Sequence, residues 1–482
     1  MHASRYSAKT ITLLGLGLML PVLAAAQNRI GTGDVEDIYM QNCASCHGRD
    51  LKGGSGSSLI DDEWKYGGSD TEIAASIRDG IPDMDMPAWK GALDEKQIRA
   101  LVIYLQEKKA ALRTEAVRRD LVADDGVFSA AGQRFTLETV GAGEGLLWSL
   151  DFLPDGTMLV TQRDGVLWHF AGGERRRIEG TPEVWQHGQG GLLEVGVHPD
   201  YADNGWIYLS YSENTGAEEN GRDAGMTAVV RGRIENGRWT AQETLFTVDG
   251  AHHTSAGVHF GSRFVFDDGY LFFGIGDRGR QDRAQDLDRP NGKIFRIHDD
   301  GRIPADNPFV DVDGALPAIW SYGHRNPQGM DLEPATGLLW ESEHGPRGGD
   351  EINVIEKGRN YGWPVVTYGM NYNGTPITDE TEREGMEQPK LHWTPSIAVA
   401  GIDFYTGDAF PSWTGKLLVG GLASEELHLL TVTNGTVTAD DIILKDQGRI
   451  RDVAGGPDGL IYLLLNGGDP RTGRIVRMRP AP

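Results

Sequence analysis

The sequence predicts a multidomain protein in which a small all-α domain is followed by an all-β six-bladed propeller. Hydrophobic residues at helical spacing occupy residues 34–108, whereas short apolar runs alternate with turns after about residue 131. In that second region a turn containing Pro, Asp or Gly, followed by an apolar strand, recurs six times, as expected of propeller blades. The chain also contains 66 glycines, which fits an architecture rich in tight turns.

The first 26 residues have the composition of a secretory signal peptide. Arg5 and Lys9 precede the apolar run ITLLGLGLML, and Ala24-Ala25-Ala26 offers a small-residue cleavage site. A membrane anchor is the alternative, but the apolar run is short for a transmembrane helix. We therefore expect residues 1–26 to be cleaved near Ala26 and the remaining chain to reach the bacterial periplasm.

Residues 27–108 are predicted to form the helical domain. The segment DEKQIRALVIYLQEKK places four apolar residues on one helix face, namely Ile98, Leu101, Val102 and Leu105. Residues 109–130 are rich in Ala, Arg and Asp, and we expect them to extend this helix and then to form a linker. The propeller domain is predicted to occupy residues 131–482.

The only two cysteines of the chain, Cys43 and Cys46, lie in a C-x-x-C-H motif that ends at His47. Two thiols one helical turn apart can add to the vinyl groups of one haem, and the adjoining histidine can bind its iron. A redox disulfide and half of a zinc site are the alternatives, but zinc requires two further ligands at suitable spacing and none follow. The motif therefore predicts haem c.

A second axial ligand for the iron is expected just before the last helix, where DMDMPAWKG contains Met84 and Met86. The order C-x-x-C-H, Met-Pro and terminal helix resembles that of small one-haem cytochromes c over about residues 33–108. The resemblance implies that His47 and Met86 bind the haem iron, with Met84 as the alternative to Met86. A His/Met pair suits electron transfer.

Six copies of a turn-plus-strand unit divide the second domain into predicted blades. They are LPDGTMLVTQ, HPDYADNGWIYLSY, FDDGYLFFGIGD, EPATGLLWESEHG, SWTGKLLVGGL and GPDGLIYLLLNGG, with turns near residues 154, 199, 267, 334, 413 and 457. Two unrelated β-sandwiches are the alternative, but they would not explain the repetition. We predict six blades of four strands.

Two stretches of the predicted propeller carry candidate catalytic residues. His259 is a candidate general base because neutral imidazole accepts a proton near pH 7, and Asp277 ends the following strand and can orient it. Arg325 and Asn326, in YGHRNPQGM, offer donors to a carboxylate or a developing oxyanion. Taken singly, a structural histidine and a turn held by Asn326 and Pro327 are the alternatives.

Two further stretches carry candidate cofactor ligands. The backbone carbonyls of Gly345 and Pro346, in SEHGPRGGDE, can bind calcium. Arg449 and Arg451, in GRIRDV, lie two residues apart, so on a strand both point to one face and suit a ligand with several carboxylates. An ordinary turn and a pair of solvated arginines are the alternatives.

In this order, and together with NYGWP, the four stretches resemble the pyrroloquinoline quinone (PQQ)-dependent soluble aldose and glucose dehydrogenases, the glucose/sorbosone dehydrogenase family. The resemblance covers nearly all of residues 140–480 and implies a six-bladed propeller. It implies that His259 is the base, that Asp277 is its partner and that Arg325 belongs to both the catalytic and the quinone-binding residues. The other implied ligands are Asn326, Arg449 and Arg451 for the quinone and Gly345 and Pro346 for calcium. This chain departs from the pattern at Ala423, where some members have a lysine.

Together the two resemblances predict a periplasmic quinohaemoprotein oxidoreductase that oxidises an aldose or a related alcohol. Electrons would pass from PQQ to the fused haem and then to another cytochrome or an oxidase. The net charge of −24 argues against nucleic acids and anionic membrane surfaces as partners, and no later stretch approaches the length of a membrane span. The alternatives are a calcium-dependent propeller hydrolase such as a lactonase, and a haem carrier with a non-catalytic docking propeller.

Overall fold

The structure, a computed structural model, describes residues 35–61, 64–84, 86–121, 125–467 and 472–481. Within residues 113–120 it describes the backbone alone. The predicted signal peptide, residues 1–26, lies outside these ranges. In the described part of the chain, no helix has both the length and the apolar character needed to cross a membrane.

Helices form the N-terminal domain. They are α1 (Val35–Asn42), α2 (Ala44–His47), α3 (Asp70–Asp79) and α4 (Glu95–Leu121). Ser69 precedes α3, and its hydroxyl caps the first turn while the Glu72 side chain reaches back to the Ser69 backbone. The apolar face predicted for α4 is buried, and α4 contacts both α1 and α3. These contacts enclose the core of the domain.

Residues 109–130, predicted to extend the last helix and then form a linker, contain the end of α4 and a β-strand. Helix α4 continues without a break to Leu121, and β1 (Phe128–Ala130) pairs with β2 (Gln133–Ala142). The rings of Phe128 and Phe135 stack with centroids 5.4 Å apart, and both side chains are buried. The strands of the propeller therefore begin at Phe128, before the boundary predicted at residue 131.

Six antiparallel sheets follow, numbered here in chain order. The first blade contains β3 (Leu147–Phe152), β4 (Met158–Gln162), β5 (Val166–Ala171) and β6 (Glu174–Ile178). The second contains β7 (Leu192–Val197), β8 (Ile207–Glu213), β11 (Met226–Glu235) and β12 (Arg238–Phe246). A short helix, α5 (Tyr201–Asn204), and a ribbon of β9 (Glu218–Glu219) and β10 (Arg222–Asp223) are inserted in the second blade.

The remaining blades repeat the same order. The third contains β13 (Phe264–Asp267), β14 (Tyr270–Ile275), β15 (Lys293–His298) and β16 (Ile319–Tyr322). The fourth contains β17 (Pro327–Leu332), β18 (Leu339–Glu343), β19 (Asp350–Ile355) and β20 (Leu391–Trp393). The fifth contains β21 (Val399–Phe404), β22 (Leu417–Gly421), β23 (Glu426–Thr433) and β24 (Thr436–Lys445).

The sixth blade closes the ring by combining both ends of the domain. It contains β25 (Arg449–Gly455), β26 (Ile461–Asn466), β27 (Gly473–Pro480) and then β2, with β1 at its edge. The six repeated turns each join the first and second strands of one blade, which confirms the predicted six-bladed propeller. The alternative of two β-sandwiches was wrong, because the repeat marks one structural unit per blade.

The first strands of the blades surround the axis of the propeller, where they contact one another in ring order. Four of them carry an aspartate, half-buried or buried, that accepts a backbone N–H from the first strand of the next blade. The pairs are Asp151 with Val197, Asp331 with Phe404, Asp403 with Gly455 and Asp452 with Leu150, at 2.6–3.0 Å. A cavity of about 210 Å³ lies among these strands. Burial raises the pKa of Asp151 to about 6 and that of Asp403 to about 7.

Candidate active site

His259 and Asp277 meet at one end of the third blade. His259 lies in the loop before β13 with φ of +55°, and its backbone N–H donates to Gln189 Oε1 at 2.8 Å. Asp277 lies two residues after the end of β14, and its Oδ1 lies 2.6 Å from His259 Nδ1. Because Nδ1 faces a carboxylate, the proton of neutral imidazole is held there and Nε2 is the nitrogen that can accept a proton.

Asp277 is fully buried, and each of its carboxylate oxygens accepts further hydrogen bonds. Trp363 Nε1 donates to Oδ2 at 2.8 Å, and the Gly279 backbone donates to Oδ1 at 2.7 Å. Burial opposes ionisation, but the hydrogen bond and charge of His259, together with the charge of Arg325, lower the pKa of Asp277 overall. Asp277 therefore remains a carboxylate that orients the imidazole of His259.

The imidazole of His259 is kept neutral by its surroundings. Burial lowers its pKa and the Arg325 guanidinium lowers it further, while the hydrogen bond to Asp277 acts in the opposite direction and is outweighed. The side chain keeps 14% of its surface accessible, so its outer nitrogen is not enclosed by protein. A neutral and accessible imidazole held by a carboxylate can act as a general base.

Arg325 and Asn326 follow β16, and a buried glutamate of the fourth blade holds their backbone. Glu343 Oε2 accepts the N–H of Arg325 at 2.5 Å and that of Asn326 at 3.3 Å. Arg325 Nη1 donates to the carbonyls of His344 and Gly345 at 2.9 and 2.6 Å. The Asp277 N–H donates to the Arg325 carbonyl at 2.8 Å, which joins this turn to the His259–Asp277 pair.

His344 and Arg451 complete the same pocket. Burial, followed by the charges of Arg451, Arg325 and His259, holds the pKa of His344 well below its ordinary value. Burial also lowers the pKa of Arg451 to about 9, with Arg263 and Arg449 adding to the effect. His344 therefore lies within electrostatic range of Arg451, Arg325 and His259. Arg451 Nη1 donates to Gln328 Oε1 at 2.8 Å, whereas Arg449 is exposed.

Three buried nitrogen atoms of this pocket have no hydrogen-bond partner among the described residues. They are Arg325 Nε, Arg451 Nε and His344 Nε2. A buried polar atom without a partner costs free energy, so its presence in a pocket favours a polar ligand there. Two guanidinium groups and an imidazole suit a ligand with several carboxylate and carbonyl oxygens. The residues present therefore fit a quinone that carries carboxylates, as PQQ does.

Gly345 and Pro346, the predicted calcium ligands, lie at the wall of this pocket. A Cβ atom on Gly345 would lie 2.1 Å from the Gly349 carbonyl oxygen, so a larger residue does not fit at Gly345. The Gly345 N–H donates to Asp350 Oδ1 at 2.8 Å. The Gly345 carbonyl oxygen accepts a hydrogen bond from Arg325. A carbonyl oxygen has two lone pairs, so the second lone pair of Gly345 can bind a cation.

A buried cluster of one histidine and two glutamates lies next to the Arg325–Asn326 turn and was not singled out from the sequence. His324, Glu341 and Glu343 place ligand atoms within 4.8 Å of one another. Burial and the neighbouring Glu343 raise the pKa of Glu341 well above its ordinary value. Glu341 and Glu343 are two residues apart on β18, so both side chains lie on the same face of the strand. This spacing is visible in the sequence WESE and could have indicated a pair of carboxylates.

Other pocket residues were also missed. Trp363, His344, Gln328 and Gln189 contact the predicted residues, but none follows a pattern of spacing that links it to them. Trp363 lies in the stretch NYGWP and His344 lies in SEHGPRGGDE. Both stretches contributed to the family resemblance, but neither residue was given a role. Ala423, the residue at which the sequence departs from the expected family pattern, is exposed after β22.

The C-x-x-C-H motif lies on and beside α2 in the N-terminal domain. Cys43 and Cys46 are both free, and burial raises the pKa of Cys43 to about 11. His47 Nδ1 lies 2.9 Å from the Ser57 carbonyl oxygen. A metal-binding histidine commonly donates its second N–H to a backbone carbonyl, which leaves Nε2 for the metal. These residues fit covalent attachment of haem with His47 as an axial ligand.

The two methionines considered as second axial ligand differ in their surroundings. Met86 is half-buried and packs against the core of the N-terminal domain. Met84 is 46% exposed, and its sulfur lies 3.6 Å from Lys65 Nζ. A haem packed into the domain is reached by a side chain that faces the interior, so this difference favours Met86.

Comparisons with known proteins agree with both domains. Residues 146–477 match the family model described as Glucose / Sorbosone dehydrogenase, and residues 32–105 match that of Cytochrome C oxidase, cbb3-type, subunit III. The aldose sugar dehydrogenase YliI of Escherichia coli strain K12 is 46% identical over 342 residues, which cover 69% of this chain and 90% of that protein.

Solved structures show the same likeness. The soluble aldose sugar dehydrogenase of Escherichia coli in its apo-form has a TM-score of 0.68 and 43% identity, covering 72% of this chain and 100% of that one. The PQQ-bound aldose sugar dehydrogenase of Streptomyces coelicolor has a TM-score of 0.57 and 26% identity, covering 72% and 98%. The chain therefore belongs to the glucose/sorbosone dehydrogenase family, with a cytochrome c domain of the cbb3-type subunit III kind preceding its propeller.

Proposed function

We propose that this protein is a periplasmic, PQQ-dependent dehydrogenase of aldoses or related alcohols that passes electrons on through its own haem c. One observation carries the proposal. His259, oriented by Asp277, interacts electrostatically with Arg325 and His344, and His344 interacts in turn with Arg451. Each of these last three residues has a buried nitrogen atom without a partner among the described residues. A proton acceptor is thus placed beside a site for a polycarboxylate ligand, which is the combination that quinone-dependent oxidation of a hydroxyl group requires.

The residues of the pocket would divide the chemistry as follows. His259 Nε2 accepts the proton of the substrate hydroxyl, and Asp277 stabilises the imidazolium that forms. Trp363 holds Asp277 in place through its indole N–H. Arg325, Asn326 and Arg451 would hold the oxygens of PQQ, and exposed Arg449 would add charge at the rim. When bound, PQQ supplies the acceptor for the hydride that leaves the sugar carbon.

Calcium and haem have separate proposed ligands. The carbonyls of Gly345 and Pro346 would bind calcium at the pocket wall, since hard cations prefer oxygen ligands. Cys43 and Cys46 would attach the haem covalently, and its iron would be bound by His47 and Met86. An iron with two protein ligands transfers electrons rather than activating oxygen, so an external cytochrome or oxidase would take electrons from it.

Spectroscopy of the haem tests this function. We expect that oxidised protein carrying haem, supplied with PQQ and calcium, will show reduction of its haem band when an aldose is added. Omitting PQQ or the aldose should leave the haem oxidised, and these two samples serve as the controls. If no member of a panel of aldoses and alcohols reduces the haem or a soluble dye, the dehydrogenase proposal is wrong. Hydrolysis of a lactone by the same sample would then favour the hydrolase alternative.

The choice between the methionines gives a second prediction. Met86→Ala should lower the reduction potential of the haem by on the order of 0.1 V, because axial ligands tune this potential and a thioether raises it. Met84→Ala is the matched control and should leave the potential unchanged, since Met84 is exposed. Potentiometric titration of the haem band measures both. The reverse result would assign the iron to Met84.

A further inference from the structure

Helix α4 of the cytochrome domain contacts the propeller directly beside the candidate active site. Arg347 forms a two-point ion pair with Glu107 of α4, with Nε to Oε1 at 2.9 Å and Nη2 to Oε2 at 2.8 Å. The two side chains are only 26% and 16% exposed. Such a paired geometry fixes the orientation of both groups, and partial burial limits its screening by salt.

Further contacts surround this ion pair. Arg99 of α4 donates to the Tyr368 carbonyl at 3.0 Å, and its guanidinium lies 5.7 Å from the centre of the Tyr368 ring. The side chain of Met370, from the propeller, is 1% exposed and lies within the hydrophobic core of the cytochrome domain. Separating the domains would expose Met370 to water and leave Arg347 without Glu107.

The propeller side of the contact is continuous with the pocket. Arg347 follows Gly345 and Pro346 in the chain, and the Gly345 carbonyl accepts from Arg325. The backbone of Arg347 exchanges hydrogen bonds with that of Met370 at 2.9 and 3.0 Å. A segment of three residues therefore joins the guanidinium of the pocket to the cytochrome domain.

The cytochrome side of the contact is continuous with the haem motif. Tyr104, on the same helix as Glu107, packs its ring on that of Tyr39 in α1, with centroids 5.5 Å apart. The Tyr39 hydroxyl donates to the Gly48 carbonyl at 2.6 Å, and Gly48 follows His47. The Cys43 N–H donates to the Tyr39 carbonyl at 2.8 Å. Packed and hydrogen-bonded residues thus extend from Arg325 to the C-x-x-C-H motif.

We propose that this docking contact (Arg99, Glu107, Arg347, Tyr368 and Met370) holds the cytochrome domain against the pocket wall and is where electrons pass between the two domains. Arg347 and Glu107 are its positioning residues. The inference rests on the proposed function. Oxidation of the hydroxyl group to a carbonyl releases two electrons and two protons. The haem iron takes one electron at a time, from Fe(III) to Fe(II), and an external one-electron acceptor reoxidises it twice per sugar.

Charge reversal tests the docking contact from both sides. Glu107→Arg places two cations together, so we expect a larger radius of gyration by small-angle X-ray scattering of the haem-loaded protein without PQQ. With PQQ, calcium and aldose, haem reduction should slow by about tenfold or more, because the rate follows the docked fraction. Turnover with a soluble dye should stay within about twofold, since the substitution lies outside the pocket.

The controls separate docking from folding and from the enzyme activity. Arg347→Glu alone should increase the radius of gyration like Glu107→Arg, and combining the two should restore the compact shape and fast haem reduction. Glu95→Arg, on the same helix but paired with Arg78 of the cytochrome domain, should change neither. Reduction by dithionite checks that each variant holds haem.

The possible failures are distinguishable. If Glu107→Arg leaves both the radius of gyration and the rate of haem reduction unchanged, the docking proposal is wrong. If the double variant fails to restore either one, it is also wrong, because the effect then does not arise from the ion pair. If the unaltered protein shows no dye-linked turnover, the dehydrogenase proposal fails, while the scattering comparison still tests docking.

Discussion

Replacing His259 with alanine is expected to reduce aldose-dependent turnover by about 10²–10⁴-fold, the range that a positioned general base contributes. His259 Nδ1 is hydrogen-bonded to Asp277 Oδ1 at 2.6 Å, which leaves Nε2 to accept the proton of the substrate hydroxyl. No water can replace this nitrogen with the same orientation and proton affinity. Turnover should be measured with a soluble dye, so that the cytochrome domain does not limit it.

His252→Ala is the matched control for this loss. His252 also lies in the segment before β13, but its Nδ1 lies 3.4 Å from Arg289 Nη1, whereas the Nδ1 of His259 lies on Asp277. It should keep turnover within about twofold of the unaltered protein. Reduction of the haem by dithionite should be unchanged in both variants. If His259→Ala retains turnover comparable with His252→Ala, His259 is not the base.

The same residue sets the expected pH dependence. Burial and the charge of Arg325 lower the pKa of His259, so the imidazole loses its proton below its ordinary value near pH 6.5. The ratio kcat/KM should therefore rise with pH through this lowered pKa and reach its plateau at a lower pH than an ordinary histidine would give. Arg325→Gln removes a cation from the pocket, so the rising limb should move to higher pH even as turnover falls. A rising limb that stays in place would show that Arg325 does not act on His259.

Substituting both Cys43 and Cys46 with serine should abolish covalent haem attachment completely. Thioether bonds to the haem vinyl groups require both thiols, and the described chain has no other cysteine. A haem stain after denaturing electrophoresis should be negative, and aldose should reduce no haem band. Dye-linked turnover should persist if the propeller is catalytic by itself.

Ser45→Ala is the matched control for the cysteine pair, because Ser45 lies between the two thiols and is exposed. This variant should retain both the haem stain and haem reduction. Covalent haem in the double serine variant would contradict the assignment of Cys43 and Cys46. Loss of dye-linked turnover together with the haem would instead indicate that the propeller depends on the cytochrome domain for its activity.

Much of the architecture was predictable because it depends on local sequence patterns. The apolar spacing of α4, the C-x-x-C-H motif and the six turn-plus-strand units each involve residues a few positions apart. Turn chemistry and side-chain periodicity act over that same range, so they can be recognised without knowing the fold. The placement of β1 was missed, since three residues are too few to show a period and their stability comes from pairing with β2.

The candidate site was predictable in its separate pieces. His259 and Asp277, Arg325 and Asn326, and Gly345 and Pro346 each stand in a short recognisable stretch. Their relation to one another depended on resemblance to a family, because hydrogen bonds such as Trp363 to Asp277 join residues far apart in the chain. Nothing in residue spacing indicates that these stretches meet.

The sequence by itself determined the two kinds of domain, the haem-attachment residues and the repeat that makes six blades. Only the tertiary structure decided that His344 lies in the pocket, that Glu343 supports the Arg325 turn and that Met370 enters the cytochrome core. The physical reason is that ring closure brings distant strands together, and burial then sets which polar groups share a low-dielectric environment. Such environments, unlike local propensities, exist only after the chain has folded.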